Sequence, residues 1–412
     1  MAEKFKAPRG TFDVLPEQAA QRERLFRSAR EIFGRSGYRG IITPDFEDTA
    51  LFERGVGKST DIVRKEMFTF EDKGGRSLTL RPEGTAPICR AYVEHGMHKL
   101  PQPVKLAYQG PFFRHERPQA GRYRQFNQIG AEAIGSDSPM ADVEVITLLS
   151  DLIEEMGVPG VELQIGSLGS LEARAAYLEE LKSHRRSRSE ELSDDVNERI
   201  EINPLRAFDS DHPGTKVVMA DAPHLLDHLD PADTEHFEEV KQLLNAASVE
   251  FTIDPTLVRG LDYYTRTIFS FVCDRLGAQS EIGGGGRYDG LIAQLGGPDT
   301  PAVGWAAGVE RILLALDEEV EIPGGDLFIA IESADQRAKA VALASELRHH
   351  GMVVELDLAG RSMKGQLKHA DRINSRFVLT LSPGEPARLR EMATNQQQEV
   401  QPSEVLEQIR RT

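Results

Sequence analysis

Two stretches of strand-like text, VKLAYQGPFFRHE (104–116) and RYRQFNQIGAEAIG (122–135), are separated by RPQAG alone. Pro118 and Gly121 mark that short segment as a turn. Runs joined by so short a loop can pair only antiparallel, so the fold must accommodate a long two-stranded hairpin. Side chains on a strand alternate faces. Phe126, Gln128, Gly130 and Glu132 therefore share one face of the second run, and Phe112, Arg114 and Glu116 share one face of the first. Pairing gathers an arginine, carboxylates, an amide and aromatic rings beside a glycine. Burying such polar groups without partners costs about 1–3 kcal/mol each, and a ligand carrying both charge signs would satisfy them. Arg117, Arg122 and Arg124 add to Arg114, placing four arginines around one turn. A solvated turn is the plainer alternative.

That concentration stands out because the chain is acidic, with 66 Asp and Glu against 49 Lys and Arg and a net charge of -17. The balance argues against coating nucleic acid or an anionic membrane non-specifically, but permits local cationic sites. At 412 residues, with 40% hydrophobic and 28% charged residues, two or three globular domains are expected. Cys89 and Cys273 lie far apart and match no metal spacing, which fits a reducing, cytoplasmic compartment. MAEKFKAPRG lacks an apolar signal region, and no apolar run reaches the roughly 18 residues of a membrane span. The expectation is a protein neither secreted nor membrane-spanning.

The spacing of Leu25, Phe26, Ala29, Ile32 and Phe33 predicts a helix after Pro16, stopped near Gly34 and Gly37. Residues 41–135 read as strand-like, 139–156 as a helix ended by Gly157, and 171–250 as a charged, helix-rich insert. SHRRSRSEELSDD within that insert reads as an exposed linker or helix end, and strand text resumes with TLVRGLDYYTRTIFSF. DEEVEIPGGD (317–326) marks a boundary. Beyond it come strand 327–331, a helix, strand 352–358, a second helix and strand 377–381, the alternation of a small α/β domain. Ser333 and Gln336 have capping-box spacing, Ala340, Leu343, Ala344 and Leu347 form a face, and Gly351 follows. Residues 326–412 hold 12 acids and 12 bases, so the negative excess lies in 1–325. Lys364, Lys368, Arg372 and Arg376 recur every four residues, a solvated face or a phosphate stripe that Asp371 dilutes.

Some motifs mislead. GVGKST (55–60) lacks the first glycine of a P-loop, since Phe52 occupies that position. Gly283 to Gly286 fit no dinucleotide-binding register. Lying between strand-like IFSFVCD and amphipathic DGLIAQL, they suggest close backbone approach to a ligand. His115 and Glu116 form no zinc motif.

FRHERPQAGRYRQFNQIGAE resembles the second conserved motif of class II aminoacyl-tRNA synthetases in its histidyl version. RGTFDVLP, ITPDFEDTALFERGVGKSTDIVRKEMFTF, LTLRPEGTAP, NPLRAFD, LVRGLDYYTRTIFSF, GGGGRYDGLI and GWAAGVERILL follow the same family in order. LVRGLDYY is the most discriminating of them. The resemblance to histidyl-tRNA synthetases implies an α+β fold, with a class II catalytic domain on an antiparallel sheet over 1–322 and a helical insertion at about 171–250. It also implies a C-terminal α/β anticodon-binding domain over 326–412, although LTLSPGEPARLREMATNQQQEV departs from the family there.

The activity implied is ATP-dependent formation of histidyl-adenylate, then transfer to the 3′ end of tRNA(His). Arg114 matches the arginine at the α-phosphate and amino-acid carboxylate, and Arg259 one standing at the α-phosphate where other class II enzymes place a metal. Arg311 matches the clamp on the γ-phosphate, and Phe126 with Glu116 falls in the ATP site, the ring stacking on adenine. Glu83, Gly84 and Thr85 resemble the loop receiving the histidine ammonium, with Gln128 and Glu132 around the amino acid. Tyr263 and Tyr264 resemble the imidazole pocket; as consecutive strand residues, only one would point into it. Arg117 and Gln119 match positions near the tRNA acceptor end, and Pro44 the proline of the dimer motif. Taken alone, Arg311 would be a helix-surface charge, the tyrosine pair core packing and Pro44 a strand end. The resemblance implies ATP with Mg2+, no metal held by protein side chains, a homodimer, and L-histidine and tRNA(His) as partners without DNA or membrane. The alternative is a catalytically silent paralogue, the regulatory subunit of ATP phosphoribosyltransferase, which lacks the anticodon-binding domain.

Overall fold

The computed structural model describes residues 4–57, 60–198, 200–277, 280–316 and 324–411. The chain divides into two units, Met1–Val320 and Glu321–Thr412.

The hairpin expected from the alternating text forms from Val104–Phe113 and Gln125–Ile134, with Phe112 opposite Phe126 and Gly110 opposite Gln128. It is built into an eight-stranded sheet. From edge to edge the strands are Arg39–Gly40, Val104–Phe113, Gln125–Ile134, Ala302–Gly308, Glu281–Arg287, Thr265–Cys273, Val161–Ser167 and Thr252–Ile253. The six central strands pair antiparallel, and the two-residue edge strands pair parallel.

The alternation decides what lies on each face. Ile129, Ala131 and Ala133 join Ala307 and Trp305 in a core with helices Pro16–Arg35, Pro139–Met156, Pro231–Ala246 and Val309–Leu316. Helix Pro139–Met156 opens on a Ser138 cap and closes on Gly157 at φ 70°, a left-handed position that glycine adopts without strain. Leu106, Tyr108 and Phe112 face the other way, with helix Thr85–Glu94, Tyr263, Tyr264, Tyr288 and much of the insertion. A cleft opens on that second face.

Several expectations are corrected. Residues 41–135 are not uniformly strand: helices Thr49–Gly55 and Thr85–Glu94 interrupt them, beside a three-stranded sheet of Phe46–Asp48, Ser77–Leu80 and Phe68–Glu71. TAPICRAYVE reads as strand by its β-branched and aromatic content. It is helical because Pro87 suits a first turn and the Glu83 carboxylate accepts from the Thr85 and Ala86 N–H groups at 2.8 and 2.9 Å. In TLVRGLDYYTRTIFSF the strand begins only at Thr265. Within SHRRSRSEELSDD, Arg185 is fully buried and donates to Pro204 O and Val196 O.

Four glycines in the strand Glu281–Arg287 are demanded chiefly by neighbouring strands. A Cβ on Gly284 would stand 2.5 Å from Phe269 O, and one on Gly285 2.7 Å from Trp305 Cα. Of the four, Gly283 and Gly284 line the cleft.

The second unit is a five-stranded sheet ordered Val354–Leu356, Leu327–Ile331, Phe377–Leu381, Ala387–Glu391 and Gln397–Val400, with helices Arg337–His349, Met363–Arg372 and Val405–Arg411. The first three strands are parallel; the unusual segment after 380 supplies the last two, antiparallel. No capping box forms at Ser333, whose hydroxyl bonds Asp335 instead. Arg376 lies beyond helix Met363–Arg372 and pairs with Asp326, so the basic stripe reduces to Lys364, Lys368 and Arg372. Residues 317–323 of the expected boundary, and Lys58 and Ser59 of GVGKST, lie outside the described residues. Among the described residues no helix is long and apolar enough to cross a membrane.

Candidate active site

A cleft of about 660 Å³ opens on the second face of the large sheet. Arg114, Glu116, Phe126, Gln128, Glu83, Gly84, Thr85, Arg259, Tyr263, Tyr264 and Arg311 all line it. These residues come from four separate places in the chain. The hairpin supplies Arg114 to Gln128, the helix start Glu83 to Thr85, the loop before strand Thr265–Cys273 supplies Arg259 to Tyr264, and helix Val309–Leu316 supplies Arg311.

One set of lining groups is polar and buried. Glu83 is buried, and burial raises its carboxyl above the ordinary range despite its two backbone donors. Glu132 does not line the cleft, contrary to expectation. It lies beneath the floor at 0% exposure, accepting from Thr85 Oγ1 at 2.8 Å and Tyr288 OH at 2.6 Å. Burial pushes its carboxyl up to about 8, with Glu83 adding to the effect. Gly304 across the strand pair is part of the same arrangement, because a Cβ there would meet the Glu132 carboxylate. Gln128 Oε1 and Tyr108 OH are buried without a hydrogen-bond partner among the described residues. An unpaired buried acceptor of that kind awaits a donor from a ligand.

Tyr263 and Tyr264 both line the cleft, with ring centroids 4.7 Å apart. The opposite-face argument fails because neither lies on a strand, so the two-residue alternation does not apply.

A second set is cationic: Arg114, Arg259 and Arg311 all lie close enough to act on the Glu281 carboxylate. Arg114 donates to Pro82 O at 2.9 Å, stacks its guanidinium 5.4 Å from the Phe126 ring and stands 3.7 Å from Glu116. Arg122 approaches Glu116 at 3.2 Å. Arg259 pairs with Glu281 at 2.7 Å over the Tyr264 ring. Burial alone would lower the Arg259 guanidinium, but Glu281 beside it outweighs that and holds it above its ordinary value. Burial lowers Arg311. Three guanidiniums converging on one partly desolvated cleft fit a polyanion, since each can hold two oxygens at once.

Arg117 and Gln119 are exposed on the hairpin loop and do not line the cleft; Gln119 closes the tip by pairing with Arg122. Sequence reasoning missed Asp61, Glu66, Arg206, Asp209, Asp211 and Glu281, all of which line it. NPLRAFD carried a signal for Arg206 and Asp209, but nothing in the text places the insertion at the cleft. Among the described residues no group of three or more His, Cys, Asp or Glu side chains forms a metal cluster.

The family model for histidyl-tRNA synthetase matches residues 10–312, and the model for an anticodon binding domain matches 326–412. The chain belongs to the histidyl-tRNA synthetase family. As a member of that family it is an aminoacyl-tRNA synthetase, a ligase enzyme. The histidine–tRNA ligase of Desulfitobacterium hafniense (strain DSM 10664 / DCB-2) is 47% identical over 385 residues, covering 92% of this chain and 91% of that one. The apo histidyl-tRNA synthetase structure from S. aureus superposes with a TM-score of 0.83 at 36% identity, covering 98% and 100%. A structure described as an ATP phosphoribosyltransferase regulatory subunit/histidyl-tRNA synthetase, from Bacillus halodurans C, gives 0.65 at 25% identity, covering 92% and 99%.

Proposed function

We propose that this cleft joins L-histidine to ATP as histidyl-adenylate and then passes the histidyl group to the 3′ end of tRNA(His), releasing diphosphate and then AMP. The observation that carries the reading is the meeting, in one cleft, of buried polar groups beside a tyrosine pair and of three arginines around Glu281. Glu83 with Gly84 and Thr85 receives the ammonium, Gln128 supplies its unpaired oxygen, and Tyr263 and Tyr264 flank the imidazole, with Glu132 acting from beneath. Phe126 stacks on adenine, and Glu116 belongs to the ATP site. Arg114 and Arg259 hold the α-phosphate and histidine carboxylate, and Arg311 clamps the γ-phosphate.

The substrate's own carboxylate attacks the α-phosphorus. The chain therefore contributes chiefly position and stabilisation of developing negative charge. Mg2+ carried by the ATP substrate would supply further neutralisation of phosphate charge beside Arg114, Arg259 and Arg311. Arg117 and Gln119, exposed at the hairpin tip, are placed to meet the tRNA acceptor end. The first 322 residues then form the catalytic domain with its insertion, and 326–412 the anticodon-binding domain.

A homodimer completes the proposal. Ile42 at 94% exposure, Phe46 at 49% and Phe70 at 43% surround exposed Pro44 and expose apolar area that a twofold partner would cover. Sedimentation at micromolar concentration should give twice the chain mass. Protein, ATP, histidine and tRNA are placed in the cytoplasm, with no DNA or membrane partner. Amino-acid-dependent exchange of labelled pyrophosphate into ATP tests the function: histidine should support it and the other amino acids should not. Absence of exchange with purified, folded protein would instead favour the silent regulatory paralogue.

A further inference from the structure

The insertion begins where the tyrosine pair ends. Strand Val161–Ser167 pairs antiparallel with strand Thr265–Cys273, and the chain then turns through Leu168 and Gly169 into helix Leu171–Arg186. Two backbone bonds tie that turn to the start of the strand that follows the tyrosine pair: Leu168 N to Arg266 O at 2.7 Å and Arg266 N to Gly169 O at 2.9 Å. Arg266 itself adopts φ 42°, a conformation an arginine rarely takes, and its side chain is held by Asp233 at 2.9 Å.

Arg174, in the first turn of that helix, is 8% exposed. Its bonds go to backbone carbonyls: Nε to Leu168 O at 3.0 Å, and Nη2 to Tyr264 O at 2.7 Å and more weakly to Gly169 O at 3.5 Å. Burial lowers its guanidinium to about 10, which leaves it charged at neutral pH. A buried cation is costly; its bonds to carbonyls and the nearby Asp233 and Asp262 carboxylates offset that cost, and the same bonds hold the backbone they reach. The backbone in question needs fixing. Tyr264 precedes the strand, so its carbonyl is held by a side chain rather than by a ladder.

The same helix holds a second wall of the cleft. Arg185 lies eleven residues on, about three turns, and so on the same helix face. Fully buried, it donates to Pro204 O at 2.8 Å, at the head of the segment that brings Arg206 and Asp209 to the cleft.

We propose that Arg174 is a positioning residue for the amino-acid end of the cleft: through the Tyr264 carbonyl it sets where the Tyr263–Tyr264 pair stands. The first helix of the insertion is thereby part of the histidine site. This rests on the reading of the tyrosine pair as the imidazole wall.

The test is pyrophosphate exchange by the full chain carrying Arg174→Gln, Arg174→Lys or Tyr264→Phe, with the KM for histidine and for ATP measured separately. R174Q should raise the histidine KM about tenfold and move the ATP KM by less than about twofold. R174K, which keeps the charge but loses the planar fork that reaches two carbonyls, should fall between at about threefold. Wild-type histidine KM in folded R174Q and R174K, while Y264F raises it, overturns the Arg174 proposal and leaves the pocket reading standing. Y264F at the wild-type histidine KM overturns the pocket reading and this proposal with it. Equal rises in both KM values also overturn it, since they would mark a general loss of structure. If R174Q does not fold, R174K decides alone by the same split.

Discussion

The residues that matter most are charges whose environments have been chosen against water. Arg259 is held charged by Glu281 at 2.7 Å and faces the same cleft as Arg114 and Arg311. Replacing it by histidine removes one preorganised charge contact, and adenylate formation should fall on the order of 10²–10³-fold in single-turnover measurements. A near-wild-type rate from folded R259H would remove Arg259 from the role proposed for it. Glu132 gives a pH prediction. Its carboxyl is raised from 4.5 to about 8, so between those values the folded state keeps a proton that the unfolded chain has released. Its contribution to stability is therefore complete below about pH 4.5 and declines as pH rises towards 8. Glu132→Gln removes that dependence, so its stability relative to wild type should improve from pH 5 to pH 8 by up to a few kcal/mol. Urea unfolding at both pH values measures it, and an unchanged difference would contradict the burial argument. Reading residues from sequence succeeded where alternation applied, as for Phe126 and Gln128 on the cleft face. It failed at Tyr263 and Tyr264, where the assumed strand was absent and both rings reach the cleft. It could not show that Glu132 lies one layer beneath, because period two gives a side and not a depth.

At the scale of elements, the site depends on a sheet that brings distant segments together. Arg287 ends the glycine strand and is fully buried in an ion pair with Asp142 of helix Pro139–Met156, with Asp289 at 3.2 Å and His236 3.4 Å from Asp142. Asp142→Asn leaves the arginine less compensated and should cost about 3 kcal/mol in denaturant unfolding. A loss below about 1 kcal/mol would mean Asp289 suffices. Elements with strong local signals were legible: Pro139–Met156 between a serine cap and a glycine stop, Leu327–Ile331 and Phe377–Leu381 as short apolar runs. Thr85–Glu94 was not, because its composition favours strand and its helix depends on a carboxylate supplied just before it. The glycine run was legible as close approach, but the approaching groups are mainly neighbouring strands. Long-range pairing of that kind leaves no local trace in sequence.

For the whole molecule, charge is distributed by unit. The negative excess lies in residues 1–325, while 326–412 is balanced and matches an anticodon binding domain. Deleting 326–412 should therefore weaken tRNA charging at least about tenfold more than histidine-dependent pyrophosphate exchange. Equal loss in both assays would make the second unit a support for folding instead. Which part of the cleft takes which substrate is decided by a crystal structure of the protein with histidine and a non-hydrolysable ATP analogue bound. The account predicts phosphate oxygens within hydrogen-bonding distance of Arg114, Arg259 and Arg311, and an imidazole beside Tyr263 and Tyr264 with the ammonium at Glu83. A nucleotide bound at the tyrosine end, or phosphates bound away from all three arginines, would contradict it.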